Sequence, residues 1–146
     1  MTIKIGINGL GRIGRMIIRS LIENNNKKVE IKHINSRSNA EVVASLLKYD
    51  SIHGKFNCKI KYGNNYLSIN GKKITFSQYS NLSEIKWKNF DVDYVLECTG
   101  KFNSKDKLTT HLKNGAKKVI VSAPCKNADK TIVYGVNQKS INKNDL

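Results

Sequence analysis

The sequence lacks paired cysteines and any long apolar run, and each absence excludes a class of protein. Its three cysteines have no C-x-x-C or similar spacing, which favours reduced thiols over a disulfide framework. No apolar run approaches the roughly 18 residues that span a bilayer, and no signal-peptide pattern precedes the first strand pattern. At 146 residues the chain is long enough to bury a hydrophobic core without disulfide crosslinks. We therefore expect a soluble, cytoplasmic protein of one domain that has no membrane partner.

Acidic residues are also scarce, with 11 Asp and Glu against 26 Lys and Arg, so the formal charge is +15. This balance suggests an anionic partner, and nucleic acid is the first class to weigh. Only four of the cations are Arg, and the lysines are dispersed along the chain with no arginine-rich block and no regular interleaving of basic and aromatic residues. Base and phosphate recognition usually concentrates Arg. The pattern therefore argues against nucleic acid, although a stand-alone dinucleotide- or nucleic-acid-binding module stays an alternative.

The first third of the chain alternates strand and helix patterns. Apolar residues at every second position predict a strand over residues 3–7, and rows at helical spacing predict an amphipathic helix from Arg12 to about Glu23. A second strand is expected around residues 29–34. The S-x-x-E spacing of Ser38 and Glu41 then predicts a capping box. We expect the helix that it opens to bury two rows, Val42 with Leu46 and Val43 with Leu47.

After an inserted antiparallel region, the rest of the chain again alternates strand and helix patterns. Short polar strands and the Asn70-Gly71 turn signal predict hairpins at about 57–77. Beyond them we expect a strand at 92–96, a helix from about Ser104 closed by Gly115, a strand at 119–121 and a last strand around Ile132, Val133 and Val136. This order predicts an α/β fold with a doubly wound, mostly parallel sheet. We assign residues 1–146 to a single domain with an inserted antiparallel region.

A glycine motif follows the first strand and opens the first helix. Gly9, Gly11 and Gly14 form G-x-G-x-x-G, which carries meaning in this strand-to-helix context. The first glycine permits a tight turn, the second lets the backbone approach a pyrophosphate, and the third lets helix and strand pack closely. Arg12 and Arg15 lie in the first helical turn, where positive charge opposes the helix dipole unless an anion is bound. The motif therefore predicts a Rossmann-type domain that binds a dinucleotide.

The end of the second strand bears on which dinucleotide is bound. Rossmann domains specific for NAD usually carry an acidic residue there for the ribose 2′-hydroxyl. This chain instead reads Asn35, Ser36 and Arg37, with no carboxylate before Glu41. Hydroxyls and an Arg would accept a 2′-phosphate, so we expect NAD or NADP as cofactor and acceptance of NADP. The alternative is that Arg37 points to solvent and Ser36 only begins a turn.

Four blocks of sequence resemble phosphorylating glyceraldehyde-3-phosphate dehydrogenases, namely residues 8–15, 47–56, 92–102 and 111–124. The resemblance covers nearly the whole chain. It implies that the segment from Asn8 to Gly14, including Arg12 and Ile13, holds the pyrophosphate. It further implies that Thr99, Gly100 and Phe102 lie on the adenosine side and Ser122 near the nicotinamide ribose. The implied activity is oxidative phosphorylation of glyceraldehyde 3-phosphate, with an erythrose-4-phosphate dehydrogenase as the alternative within this class.

The chain departs from the family pattern at three places. Ser36 stands where the family usually has Asp, and no Arg stands near Ser80 to contact adenine. The family's S-C-T-T-N segment with its nucleophilic Cys, and its distant catalytic His, do not occur in this sequence. Cys125 matches no family nucleophile, and the three histidines lack metal-ligand spacing. We therefore expect no catalytic or metal site here, a missing C-terminal catalytic domain, and a homotetramer when the protein is full length.

Overall fold

A computed structural model describes residues 2–145. Strands and helices alternate, and short 3-10 helices connect several of them. In chain order the elements are β1 (Ile3–Asn8), α1 (Arg12–Glu23), β2 (Val29–Asn35), α2 (Ala40–Lys48), β3 (Tyr49–Asp50), β4 (Gly54–Lys55), β5 (Ile60–Gly63), β6 (Tyr66–Ile69), β7 (Lys72–Ser77), 3-10 turns at Leu82–Glu84 and Trp87–Phe90, β8 (Tyr94–Glu97), α3 (Lys105–Lys113), β9 (Lys118–Val121) and a 3-10 turn at Gln138–Ser140. No helix within residues 2–145 has both the length and the apolar character needed to cross a membrane.

The main sheet has the strand order β5-β6-β7-β2-β1-β8-β9. Strands β7, β2, β1, β8 and β9 are parallel, whereas β5, β6 and β7 form antiparallel hairpins. The predicted α/β fold with a mostly parallel, Rossmann-type sheet is therefore confirmed. Chain order reverses between β1 and β8, and clefts in such sheets open at this switch point, outside the carboxyl ends of the strands.

The antiparallel region is continuous with the parallel sheet. Asn70 and Gly71 both have positive φ, at 51° and 84°, in the two-residue turn between β6 and β7. Such a turn matches the twist of the two strands that it joins. His33 of β2 pairs in parallel with Thr75 of β7. Strand β7 is thus both the last strand of the hairpins and a member of the parallel sheet, so the end of β7 lies beside the end of β2.

Helix α2 begins one residue later than a Ser38 cap would require. Its N-cap is Asn39, whose side chain accepts a hydrogen bond from the Val42 amide at 2.9 Å. The predicted capping box is therefore wrong. Of the two predicted rows, Val43 and Leu47 are buried, but Val42 and Leu46 are 44% and 41% exposed. Alanines in the first turn and at the middle of the helix supply the second buried row, because small residues allow close packing of the helix on the core.

The segment after β9 forms turns and one short 3-10 helix where a last strand was expected. Val133 and Val136 are exposed, the latter by 79%. The Asn137 side chain accepts a hydrogen bond from the Val133 amide at 2.7 Å and donates to the Thr131 carbonyl at 3.0 Å. These local bonds satisfy the backbone as turns, so the apolar residues do not pair with the sheet and the prediction of a strand here is wrong.

Two apolar clusters cover opposite faces of the sheet. The larger one joins β1, β2 and the hairpins to α1 and α2, and it includes Ile7, Ile18 and Leu47. The smaller one lies on the other face, around Trp87 and Val95. Side chains alternate between the faces of a strand. The sheet is therefore covered on both sides, and its carboxyl edge is left accessible to a ligand.

Candidate functional site

A cleft of about 540 Å³ opens at the carboxyl edge of the sheet, across the switch point between β1 and β8. The turn after β1, the ends of β2 and β7 and the segment after β8 form its walls. Among the described residues its lining comprises Asn8, Gly9, Leu10, Gly11, Arg15, Asn35, Ser36, Arg37, Ser38, Leu46, Tyr79, Ser80, Leu82, Cys98, Thr99, Lys101 and Phe102.

The glycine turn brings backbone close to backbone. Gly9 has φ of 95°, and a Cβ there would lie 2.8 Å from the backbone nitrogen of Thr99. A Cβ on Gly14 would overlap the carbonyl oxygen of Gly9, so a side chain at either position would separate β1 from α1 or from β8. Gly11 differs, since a Cβ there would meet nothing within 4 Å. The open side of Gly11 leaves room for a ligand to approach the backbone.

The start of α1 is uncapped by any side chain. Gly11 is its N-cap, and the first turn contains no acidic residue. The first amides of a helix lack intrahelical partners, so they are free to donate to an anion. The Arg15 guanidinium donates to the Leu10 carbonyl at 3.0 Å, while its Nε is buried without a partner among the described residues. A bound phosphate would provide such a partner, which supports the fit of a dinucleotide here.

Two asparagine side chains connect the strand ends beneath the cleft. Asn35 Oδ1 accepts from the Tyr79 amide at 2.9 Å, and its Nδ2 donates to the Tyr79 carbonyl at 3.0 Å. Because a backbone amide only donates and a carbonyl only accepts, this pair fixes the orientation of the Asn35 side chain. Asn35 Nδ2 also donates to Asn8 Oδ1 at 2.8 Å, and Asn8 Nδ2 donates to Glu97 Oε2 at 2.6 Å. The amides thus point in one direction, from β2 towards β8.

Glu97 ends this network as a buried acceptor. Both the amide and the hydroxyl of Thr99 donate to its Oε1, and His111 Nε2 lies 2.9 Å from its Oε2. Trp87 Nε1, which only donates, bonds His111 Nδ1 at 2.9 Å, so the proton of a neutral His111 is on Nε2. Burial by itself would raise the pKa of Glu97, but the hydrogen bonds from His111, Thr99 and Asn8 outweigh it and lower that pKa. The carboxylate therefore stays ionised and fixes Thr99 at the edge of the cleft.

The wall formed by the end of β2 is neutral or basic. Ser36 is buried and its amide donates to the Ser77 carbonyl at 3.0 Å, whereas Arg37 is exposed. No Asp or Glu occurs among the described residues that line the cleft, and the cations that do are Arg15, Arg37 and Lys101. The electrostatic field of the cleft therefore favours an anionic ligand.

The predicted site residues fall into three groups. Those that line the cleft are Asn8, Gly9, Gly11, Asn35, Ser36, Arg37, Thr99 and Phe102. Arg12 and Ile13 lie beside it with exposed side chains at the start of α1, Gly14 packs under the turn, and Gly100 follows Thr99 with φ of 70°. Ser122 does not line the cleft, although its amide donates to the Glu97 carbonyl at 3.0 Å. It lines a separate cavity of about 1010 Å³ between β9, α3 and the residues that follow β9.

Sequence reasoning missed several residues of the cleft and of its support. Tyr79, Lys101 and Leu46 line the cleft but lie outside the glycine motif. Tyr79 reaches the cleft because β7 pairs with β2, and no spacing along the chain reveals that pairing. In the sequence, Glu97 stands out only as part of residues 92–102, one of the blocks that resemble the family. An acidic residue at the end of an apolar strand is nevertheless a signal of a buried polar site.

Among the described residues, the other reactive side chains form no second site. Cys98 is buried at the end of β8, and its burial raises the pKa of its thiol. Asp50 accepts from the amides of His53 and Ile52, and these bonds lower its pKa to about 2. Cys125 lies in the turns after β9. The described residues contain no group of His, Cys, Asp or Glu that could hold a metal ion.

Comparison with known proteins identifies the relatives of this chain. The family described as "Glyceraldehyde 3-phosphate dehydrogenase, NAD binding domain" matches residues 3–105. The chain is 43% identical over its whole length to the glyceraldehyde-3-phosphate dehydrogenase of Cereibacter sphaeroides, of which it covers 43%. It is 44% identical to glyceraldehyde-3-phosphate dehydrogenase 2 of Bacillus subtilis and to the enzyme of Geobacillus stearothermophilus, with 94% of the chain aligned to 40% and 41% of those proteins.

The chain therefore spans about two fifths of the length of these relatives. The match covers the glycine turn, the ends of β2 and β8 and the whole described lining of the cleft. The chain belongs to the glyceraldehyde-3-phosphate dehydrogenase family and contains the family's NAD-binding domain.

Proposed function

We propose that this chain is the cofactor-binding part of a dehydrogenase that oxidises and phosphorylates glyceraldehyde 3-phosphate to 1,3-bisphosphoglycerate. A bound NAD or NADP would accept the hydride, and the residues of this chain would bind and orient that cofactor. A second domain would supply the nucleophile and the base, consistent with relatives more than twice as long as this chain. The observation that carries the proposal is a glycine turn, free of side-chain obstruction at Gly11, beside an uncapped helix start.

The residues at the cleft fit the successive parts of a dinucleotide. The free amides of α1 and the Arg15 guanidinium suit the pyrophosphate, and the unpartnered Arg15 Nε supports this assignment. Thr99, held by Glu97, and Phe102 suit the adenosine side. The end of β2 suits the adenosine ribose, because Asn35 fixes that edge of the cleft. Ser122 keeps its proposed role near the nicotinamide ribose, for which family resemblance is the only support.

We further propose that the site accepts NADP. A cleft without lining carboxylates does not repel a 2′-phosphate, and Ser36 and Arg37 at the end of β2 can donate to it. Charge-assisted hydrogen bonds contribute about 1.5–3 kcal/mol. We therefore expect Arg37 to favour NADP by roughly ten- to hundredfold over the same cleft without it.

Calorimetric titration with NAD and NADP tests this assignment. Arg37→Ala is expected to weaken NADP binding by about tenfold or more and to leave NAD binding nearly unchanged. Arg12→Ala is the matched control, because a pyrophosphate is common to both ligands and the NADP/NAD affinity ratio should not change. An unchanged ratio in Arg37→Ala would reject NADP recognition by Arg37, while leaving dinucleotide binding in place.

The activity is tested in a full-length context. Residues 1–146 replace the matching segment of the Bacillus subtilis relative, and reduction of NAD or NADP is followed by absorbance with glyceraldehyde 3-phosphate and inorganic phosphate. We expect phosphate-dependent reduction. The same chimera is assayed with erythrose 4-phosphate, and a preference for that sugar phosphate would support the alternative substrate. A chimera that binds NAD but reduces it with neither substrate would refute the proposed activity.

A further inference from the structure

Tyr79 has no assigned role, yet it lies on the wall of the cleft. It follows the end of β7, which pairs with β2 and so brings residues 78–80 beside Asn35. Tyr79 is 40% exposed and lines the cleft. An exposed aromatic ring at the edge of a cleft is available to a ligand.

The backbone of Tyr79 is held in place from two directions. Its amide donates to Asn35 Oδ1, and its carbonyl accepts from Asn35 Nδ2, at 2.9 and 3.0 Å. Asn35 is in turn bonded to Asn8, so this part of the wall is tied to the strand that carries the glycine turn. A residue whose backbone is fixed in this way presents its ring to a ligand at little entropic cost.

The surroundings of Tyr79 suit a flat, uncharged ring. Phe102, Leu46 and Leu82 line the same cleft, so most of its apolar lining lies outside the glycine turn, which contributes Leu10. Ser80, next to Tyr79, is too short to cover a base. No carboxylate occurs among the described residues that line the cleft, and its cations are Arg15, Arg37 and Lys101.

We propose that Tyr79 binds the adenine base of the dinucleotide by stacking its ring against the base. This role rests on the proposed function, because it requires the dinucleotide to occupy this cleft. It also explains how the site can hold adenine with Ser80 where an Arg was expected. Removing an aromatic side chain on which a base stacks weakens binding by roughly 5- to 150-fold.

The test compares Tyr79→Ala, Tyr79→Leu and Tyr79→Phe in the 146-residue chain. Each is titrated with ADP-ribose, which contains adenine, and with inorganic pyrophosphate, which does not. Because Asn35 binds only the backbone of Tyr79, these substitutions keep its clamp, and circular dichroism checks the fold. Tyr134→Ala is the matched control, since Tyr134 is 91% exposed outside the cleft.

We expect Tyr79→Ala to weaken ADP-ribose binding by about 5-fold or more and Tyr79→Phe by less than about 2-fold, with pyrophosphate binding unchanged. Tyr79→Leu should bind ADP-ribose about as weakly as Tyr79→Ala, because leucine keeps apolar bulk but has no aromatic face. Equal ADP-ribose affinity in wild type and Tyr79→Ala would overturn the role of Tyr79 alone. Equal weakening of ADP-ribose and pyrophosphate would also overturn it, since the damage would be general. Failure of the wild-type chain to bind either ligand would overturn the proposed function itself and the role of Tyr79 with it.

Discussion

Replacing Glu97 by Gln tests the buried network beneath the cleft. Every group that bonds the Glu97 carboxylate is a donor: the amide and hydroxyl of Thr99, Nδ2 of Asn8 and Nε2 of His111. A Gln oxygen can still accept from Thr99, but its amide nitrogen would then face two donors. Asn8 cannot simply rotate, because its Oδ1 accepts from Asn35, whose own orientation is fixed by the Tyr79 backbone.

The expected cost follows from the groups left without an acceptor. A buried unsatisfied donor costs about 1–3 kcal/mol, and Glu97→Gln leaves both Asn8 Nδ2 and His111 Nε2 in that state. We expect the free energy of unfolding to fall by about 3 kcal/mol after partial relaxation. For a domain of this size, that corresponds to a drop in Tm of roughly 6–12 °C.

Urea unfolding followed by Trp87 fluorescence measures this change, because the indole donates to His111 and reports on the same network. Glu30→Gln is the matched control. It removes the same charge from an exposed residue, whose ion pair with Lys32 at 3.4 Å contributes about 1 kcal/mol or less. If Glu97→Gln were no more destabilising than Glu30→Gln, the directions of the hydrogen bonds in the network would not be fixed as we argue.

The same variant should change how stability depends on pH. Since the pKa of Glu97 is lowered in the folded chain, its contribution to stability is present at neutral pH and lost in acid. Below pH 4.5, Glu97→Gln should therefore lose less unfolding free energy than the wild type does.

Two further predictions concern His33 and the glycine turn. Burial lowers the pKa of His33 from 6.5 to about 4, so neutral His33 stabilises the fold fully above pH 6.5, and as pH falls towards 4 the chain should lose about 3 kcal/mol of unfolding free energy. Urea unfolding at several pH values measures this loss. If the unfolding free energy of His33→Asn depended on pH between 4 and 6.5 as steeply as that of the wild type, the prediction would be contradicted. Gly14→Ala should cost about 1–3 kcal/mol because its methyl group overlaps the Gly9 carbonyl. Gly11→Ala should leave Tm nearly unchanged yet weaken NAD binding. A lower Tm for Gly11→Ala than for Gly14→Ala would refute this interpretation of the turn.

The site is only partly readable from sequence. Gly9, Gly11 and Gly14 stand at fixed spacing at a change from strand to helix periodicity, so local pattern was sufficient to find the turn. The same local reasoning failed for Ser38 and for Ile132. In both cases side chains of Asn, at positions 39 and 137, bond backbone groups and select the local conformation. Propensity and apolar pattern carry no information about which of several neighbouring polar residues makes such a bond.

The sequence by itself determined the strand and helix alternation, the glycine turn and the shortage of carboxylates near the end of β2. These features depend on periodicity and on residue type, and both are local along the chain. Only the tertiary structure decided that Tyr79 lines the cleft and that Glu97 receives donors from Asn8 and His111. Those relations depend on β7 pairing with β2 and on α3 packing against β8 and the Trp87 segment. The pairing of distant segments is selected by the packing of the whole core, so it cannot be read from any single stretch of the chain.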